Sequence, residues 1–295
     1  MYRRAGDMKE TTFVYYKDPD GGAADVRANH ISVNPTDPTK SMRFAKKSKT
    51  VTYKGEAVAE DEIDVDGSFK VIDDVLQDGI DETKAMKSAT FFYSDATIRA
   101  GEEVANYTYT YAGDAGFETV KNTTVYYYAH YAGVPLARIS LDPRASGAYF
   151  DDAMARSDIY RGSALDTSGS ILPGLLPKSR TFFSVLQPDL KHRKNGEEKA
   201  DYTEEYNEDG SVKTRTTYYY HTDAVITPAV PANDAATAAQ ASATSYMTKT
   251  ITARGDGTTK QVAYYTGTEV GEEMISWSQE YNYNGTLVKT TTIYD

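Results

Sequence analysis

An all-β fold, an antiparallel hairpin-repeat sheet either wound or stacked as a sandwich and carrying only minor short helices, is what this sequence predicts, on three observations. Thr alternates with Tyr or another β-former through most of the chain, the period-two pattern of strands with two distinct faces. Asp-Gly, Asn-Gly and Gly-Gly pairs separate the alternating runs. The 25 tyrosines among 295 residues supply apolar surface that the aliphatics do not, since Leu, Ile, Val and Phe number only 50. Such a low share beside a formal charge of -11 would otherwise indicate disorder. A tyrosine ring buries about 150–250 Å² while its hydroxyl still finds a partner, so a thin, aromatic, partly wet core is expected.

Taken in order, strands are expected over Thr11–Tyr16, Thr50–Lys54, Ala89–Tyr93, Thr119–Tyr128, Arg180–Leu186, Lys213–Tyr220, Thr248–Ala253, Lys260–Thr266 and Ile275–Tyr283. Tyr107, Tyr109 and Tyr111 add another, with three rings on one face. The pairs Gly21-Gly22, Asp66-Gly67, Asp209-Gly210, Asp256-Gly257 and Asn284-Gly285 read as two-residue type I′ hairpin turns. Helix is confined to weak candidates near 71–76, 81–86 and 150–159. Pro143, Pro173 and Pro177 with four glycines break the pattern over 141–178, which reads as a linker between an N-terminal β-region, 1–140, and a C-terminal hairpin-repeat region, 179–295. A tract of small residues over 224–245 reads as a loop insertion at the surface, or a weak helix around 235–241.

Two segments 75 residues apart align without a gap, Glu205 to Thr214 and Glu280 to Lys289. Each reads strand, turn, strand, with an aromatic before Asp209-Gly210 or Asn284-Gly285 and an aliphatic after it, and Ala253–Tyr265 is a looser copy. At these residues the chain resembles the YD (RHS-type) repeat family over about a third of its length. The resemblance implies hairpins stacked into a continuous wound sheet of the kind that forms extracellular shells and surface fibres. The full tyrosine-aspartate signature is degenerate here and the spacing irregular, which leaves a β-sandwich open.

The acidic balance excludes a nucleic-acid backbone or an anionic membrane surface as partner, because both require clustered Lys and Arg. No apolar run approaches the ~20 residues of a membrane-spanning helix, so no membrane insertion is expected. Absence of cysteine removes disulfides and thiolate chemistry. The start lacks the apolar stretch of a signal peptide, so a mature or partial chain of an extracellular or cell-surface protein is expected.

Asp18, Asp20 and Gly21, like Asp64, Asp66 and Gly67, place two carboxylates before glycine as calcium loops do, but neither has a glutamate at the twelfth position. Turn chemistry is the simpler reading, and no other cofactor is expected. Arg254-Gly255-Asp256 matches an integrin-binding tripeptide, with turn formation as the plainer alternative. Only His30, His130, His192 and His221 could act as neutral-pH bases, and none stands near a plausible nucleophile. Adjacent tyrosines put rings on both faces of a strand, which makes Tyr126, Tyr128, Tyr218, Tyr220, Tyr264, Tyr281 and Tyr283 candidates for subunit interfaces or sugar stacking, with ordinary packing as the alternative. Three functions remain: an extracellular structural protein that self-assembles into a filament, sheath or shell; an adhesin or carbohydrate-binding module; and a β-structured enzyme acting on polysaccharides through dispersed carboxylates.

Overall fold

A computed structural model of the chain describes residues 9–17, 25–27, 45–58, 71–72, 75–76, 80–81, 83–93, 99–129, 152–222 and 234–294. Every regular element among the described residues is a strand. In chain order they are β1 (Glu10–Lys17), β2 (Asp25–Arg27), β3 (Lys46–Lys54), β4 (Val71–Ile72), β5 (Val75–Leu76), β6 (Met86–Tyr93), β7 (Val104–Ala112), β8 (Thr119–Tyr128), β9 (Met154–Arg161), β10 (Ser179–Ser184), β11 (Lys199–Tyr206), β12 (Val212–Tyr220), β13 (Met247–Arg254), β14 (Thr259–Thr266), β15 (Met274–Tyr281) and β16 (Val288–Ile293). Fourteen form one open antiparallel sheet ordered β16-β15-β14-β13-β12-β11-β10-β9-β8-β7-β6-β3-β1-β2, and β4 pairs with β5. Chain order and ladder order nearly coincide, as expected when short turns join neighbours.

The expected short helices do not occur among the described residues. Val71–Ile72 and Val75–Leu76 are the two-residue strands of a hairpin, 83–85 is a turn leading into β6, and 154–159 belongs to β9. Ladder pairing overrides weak helical propensity, as where Ile159 lies opposite Ser179 of β10. Strand β9 falls inside the stretch read as a linker.

The chain divides into two compact units, Met1–Val125 with Pro143–Phe150 and Arg161–Leu172, and Tyr126–Asp142 with Asp151–Tyr160 and Pro173–Asp295. In the first, Phe13, Ala57 and Ile80 form a small core flanked by Tyr15, Tyr53 and Val58. The Phe13 and Tyr53 rings meet edge-on at 5.7 Å. Phe91 stacks on Tyr107 at 4.6 Å, and Tyr107, Tyr109 and Tyr111 continue as a ladder along β7. Threonine hydroxyls join across strands, Thr12 to Thr52 at 2.9 Å and Thr90 to Thr108 at 2.8 Å. Each such pair stabilises by about 0.2–1 kcal/mol, so the sheet is held by many weak cross-strand contacts and little aliphatic core.

The second unit repeats this chemistry. Phe182 stacks on Tyr202 at 4.6 Å, and Thr181–Thr203 and Thr216–Thr252 hydroxyl pairs both lie at 2.8 Å. A cluster of small apolar side chains seats part of the 224–245 loop against the sheet: Ala236, Ala238 and Ala241 are fully buried beside Tyr220, while Asp234, Thr237, Ala239, Gln240 and Thr244 are exposed. Small side chains allow this close approach, with Tyr220 and Ala236 exchanging both backbone hydrogen bonds at 2.8 and 3.0 Å. Two buried cations hold the segment through its carbonyls. Arg193, 1% exposed, donates Nη2 to the carbonyls of Ala238 and Ala241, and Lys199 donates Nζ to Ser245 O at 2.7 Å. Burial, reinforced by Arg193, pushes the Lys199 ammonium below its ordinary value. Residues 238–240 form a turn, not the expected helix, and residues 223–233 lie outside the described residues.

Candidate functional site

Two kinds of turn recur among the described residues, and neither is the expected type I′; Gly21-Gly22 and Asp66-Gly67 lie outside the described residues. After β11, Gly210 N–H donates to Asn207 O at 3.1 Å and Asn207 N–H to Ser211 O at 2.9 Å. Only Gly210 has positive φ, +84°, so this is a type I turn closed by a left-handed glycine, whereas type I′ needs two such residues. Asp209 Oδ1 accepts from the Ser211 amide and hydroxyl at 2.9 and 2.6 Å. The Asp256-Gly257 and Asn284-Gly285 turns also have positive φ at glycine alone among their non-flanking residues.

The second kind was not read from the sequence. In Gly101-Glu102-Glu103, Gly116-Phe117-Glu118, Gly196-Glu197-Glu198 and Gly271-Glu272-Glu273, the glycine occupies the third position of a turn with φ between +78° and +90°, as a type II turn requires. The final glutamate then reaches across the neighbouring strand to the first amides of the strand beyond. Glu103 accepts from Lys47 N–H, Glu118 from Met86 N–H and Glu273 from Met247 N–H, each at 2.9 Å, and Glu198 accepts from Met154 N–H. Three also accept from their own turn glycine. These staples tie alternate strands together at their starts. The sequence signal was available: four of the five Gly-x-Glu triplets directly precede a strand.

On this scaffold the second unit carries an open groove of about 630 Å³. Ladder register sets one wall, since Lys249, Tyr264 and Trp277, which line the groove, lie directly opposite one another across β13 to β15. Lys249 Nζ sits 4.7 Å from the centre of the Tyr219 ring, and Tyr264 stacks on Trp277 at 4.0 Å with 16° between planes. At the rim, His221 stacks on Tyr246 at 4.8 Å and its Nδ1 lies 2.6 Å from Asp234 Oδ1. Thr248 fixes the same corner by donating its hydroxyl to Asp234 O at 2.6 Å. The outcome is an aromatic wall with one ammonium, one carboxylate and several hydroxyls, including those of Thr248, Thr266 and Ser276.

No family model matches the chain, and no curated protein matches it. Similar solved structures include the crystal structure of TcdB2-TccC3-Cdc42, at a TM-score of 0.22 and 9% identity over 61% of this chain, which spans 10% of that one. A porin-like protein from Bacteroides uniformis matches at a TM-score of 0.17 and 9% identity over 97% of this chain and 98% of that one.

Of the residues singled out in the sequence, Tyr264 lines the groove, whereas Trp277 was missed. Tyr128 and Tyr220 are buried in the chain itself, Tyr220 donating to Ala200 O at 2.7 Å, so neither is free to serve as an interface. Tyr126 is half-buried, Tyr218 shares a hydrogen bond with Thr203, and the Tyr281 hydroxyl meets Gln279 at 3.3 Å. Tyr283 is 75% exposed beneath the Arg254 guanidinium. That guanidinium donates to Thr259 O at 2.7 Å and Tyr281 O at 3.2 Å, while a side chain at Gly255 would press on Val212 O. The Arg254-Gly255-Asp256 tripeptide is therefore engaged in its own turn. Asp18, Asp20, Asp64 and Asp66 lie outside the described residues.

A charge row built on two buried carboxylates, Asp158 and Glu204, crosses β9 to β12. Asp158, fully buried, sits 2.9 Å from Arg156 Nε and 3.3 Å from Arg180 Nε, and Glu204 takes both Arg215 and the Tyr206 hydroxyl. Burial pushes the Asp158 carboxyl up while the two guanidiniums pull it back. Burial and the Glu204 hydrogen bond push the Tyr206 hydroxyl up to about 12. With each carboxylate neutralised by arginine, the row is suited to fixing strand register.

Proposed function

We propose that the chain is a structural segment of an extracellular surface protein, a strand-by-strand scaffold that assembles with copies of itself, in keeping with its resemblance to YD-type repeats. The supporting observation is the recurrent glutamate staple. One device, used four times, joins strands two apart, so hairpins can be added without a new core. This matches how repeat proteins gain stability, through contacts between neighbours. Strand β16 supports the assembly reading, since all six residues are exposed and Lys289 is its only charge. An edge of this kind accepts a further strand.

Light scattering with negative-stain microscopy across a concentration series tests this. Regular oligomers or ribbons that disappear in a Thr291→Lys, Ile293→Lys variant are expected, because charge on an edge blocks pairing. A chain that stays monomeric at the highest attainable concentration overturns the reading.

A further inference from the structure

We infer that the groove over β13 to β15 is a binding site for a neutral oligosaccharide, independent of the assembly reading. Its size suits a small ligand of a few rings. Backbone groups of the three strands are committed to ladders on both sides, so the groove offers side chains and no free edge for an extended peptide. What remains is the Tyr264–Trp277 wall together with Lys249, Asp234 and threonine hydroxyls. A sugar ring has this dual character, with C–H faces that pack on aromatics and hydroxyls that both donate and accept. One ammonium and one carboxylate at the site, on a chain of charge -11, disfavour an acidic glycan. The rim is fixed before binding, because Tyr246 is stacked on His221 and Asp234 is held by both His221 and Thr248. Such preorganisation lowers the entropic cost of holding a flexible ligand.

Trp277 is the sole tryptophan, so its emission reports on this groove directly. The experiment titrates the full chain with hexasaccharides of β-1,4-linked glucose, mannose or N-acetylglucosamine, and with a heparin hexasaccharide for comparison. A saturable emission change with at least one neutral sugar is expected, weakened about tenfold or more in Tyr246→Ala and in Asp234→Ala. Both variants change the rim and leave the Tyr264–Trp277 wall in place, and circular dichroism confirms that they fold. No saturable change up to about 10 mM sugar, equal binding by both variants, or preference for heparin overturns the proposal. Glycan binding by a strictly monomeric chain would support this site while overturning assembly, so the two ideas fail separately.

Discussion

The turn that leads into β11 and the turn that leaves it close adjacent hairpins, yet they hold the chain in different ways. The turn leaving β11 is self-contained: Asn207, Asp209, Gly210 and Ser211 satisfy one another within five residues. The turn entering β11 is incomplete by itself. Its Glu198 carboxylate bridges the Gly196 amide, two residues away, and the Met154 amide, 44 residues away. Local turns therefore decide where the chain reverses, and stapled turns decide which strands stay aligned.

The sharpest way to break this contrast is to remove a staple. Glu198→Ala leaves the partly buried Met154 amide without its acceptor, while water can replace it at the exposed Gly196 amide, and a loss of about 1–3 kcal/mol of stability is expected by urea denaturation. Glu198→Gln, which keeps one acceptor oxygen, should recover part of it. Asp209→Ala should cost less, because Ser211 is exposed and water replaces the lost partner. Equal losses at the two positions would remove the distinction.

Next in size is Gly210→Ala. A left-handed alanine costs about 1–2 kcal/mol, and its Cβ would also approach Leu176 Cδ1 to 3.2 Å. The damage should stay local, with hydrogen exchange accelerating in β11 and β12 alone. A staple variant should loosen β9 and β11 together.

Acid should weaken the self-contained turns through their aspartates. Hydroxyl donors first, then backbone amides, hold the carboxyls of Asp166, Asp209 and Asp256 below the usual range. A depressed folded pKa means that the unfolded chain binds more protons, so this stability is present above about pH 4 and is lost as pH falls through the folded values. Thermal melts between neutral and strongly acid pH should show a shallower acid decline in the Asp166→Asn, Asp209→Asn, Asp256→Asn variant. An unchanged slope would show that these turns contribute nothing through ionisation.

The local half of this design was legible in sequence and the non-local half was not. Thr119–Tyr128 was read to the residue, and Asp209-Gly210 and Asn284-Gly285 were placed at turns, because alternation and turn chemistry act over a few positions. Which turn type forms was misread, since Asp-Gly permits type I′ and only the observed φ values separate the two. The alanine tract was read as surface because low complexity usually means exposure, yet small side chains are also what lets a segment lie against Tyr220. Half the groove was similarly hidden. Tyr264 belonged to a visible cluster, but its stacking on Trp277 depends on ladder register and on the bulge between Tyr264 and Tyr265.

Leu190 offers the smallest test and the finest one. Gln187 N–H donates to Lys191 O at 2.8 Å and Leu190 N–H to Gln187 O at 2.9 Å, the same pair of bonds that closes the Asn207–Ser211 turn. Leu190 thus stands where Gly210 stands, with φ +64°, and is the one non-glycine residue with positive φ among those described. Its side chain is 78% exposed, so packing offers little compensation for the left-handed backbone. Leu190→Gly relieves about 1–2 kcal/mol of strain and gives back about 0.5–1 kcal/mol in unfolded-chain entropy. A net gain of roughly 0.5 kcal/mol is expected, read as a higher urea midpoint at unchanged slope. A loss instead would mean that the leucine contacts something in solution, and the exposed turn between β10 and β11 would become a candidate contact surface in its own right.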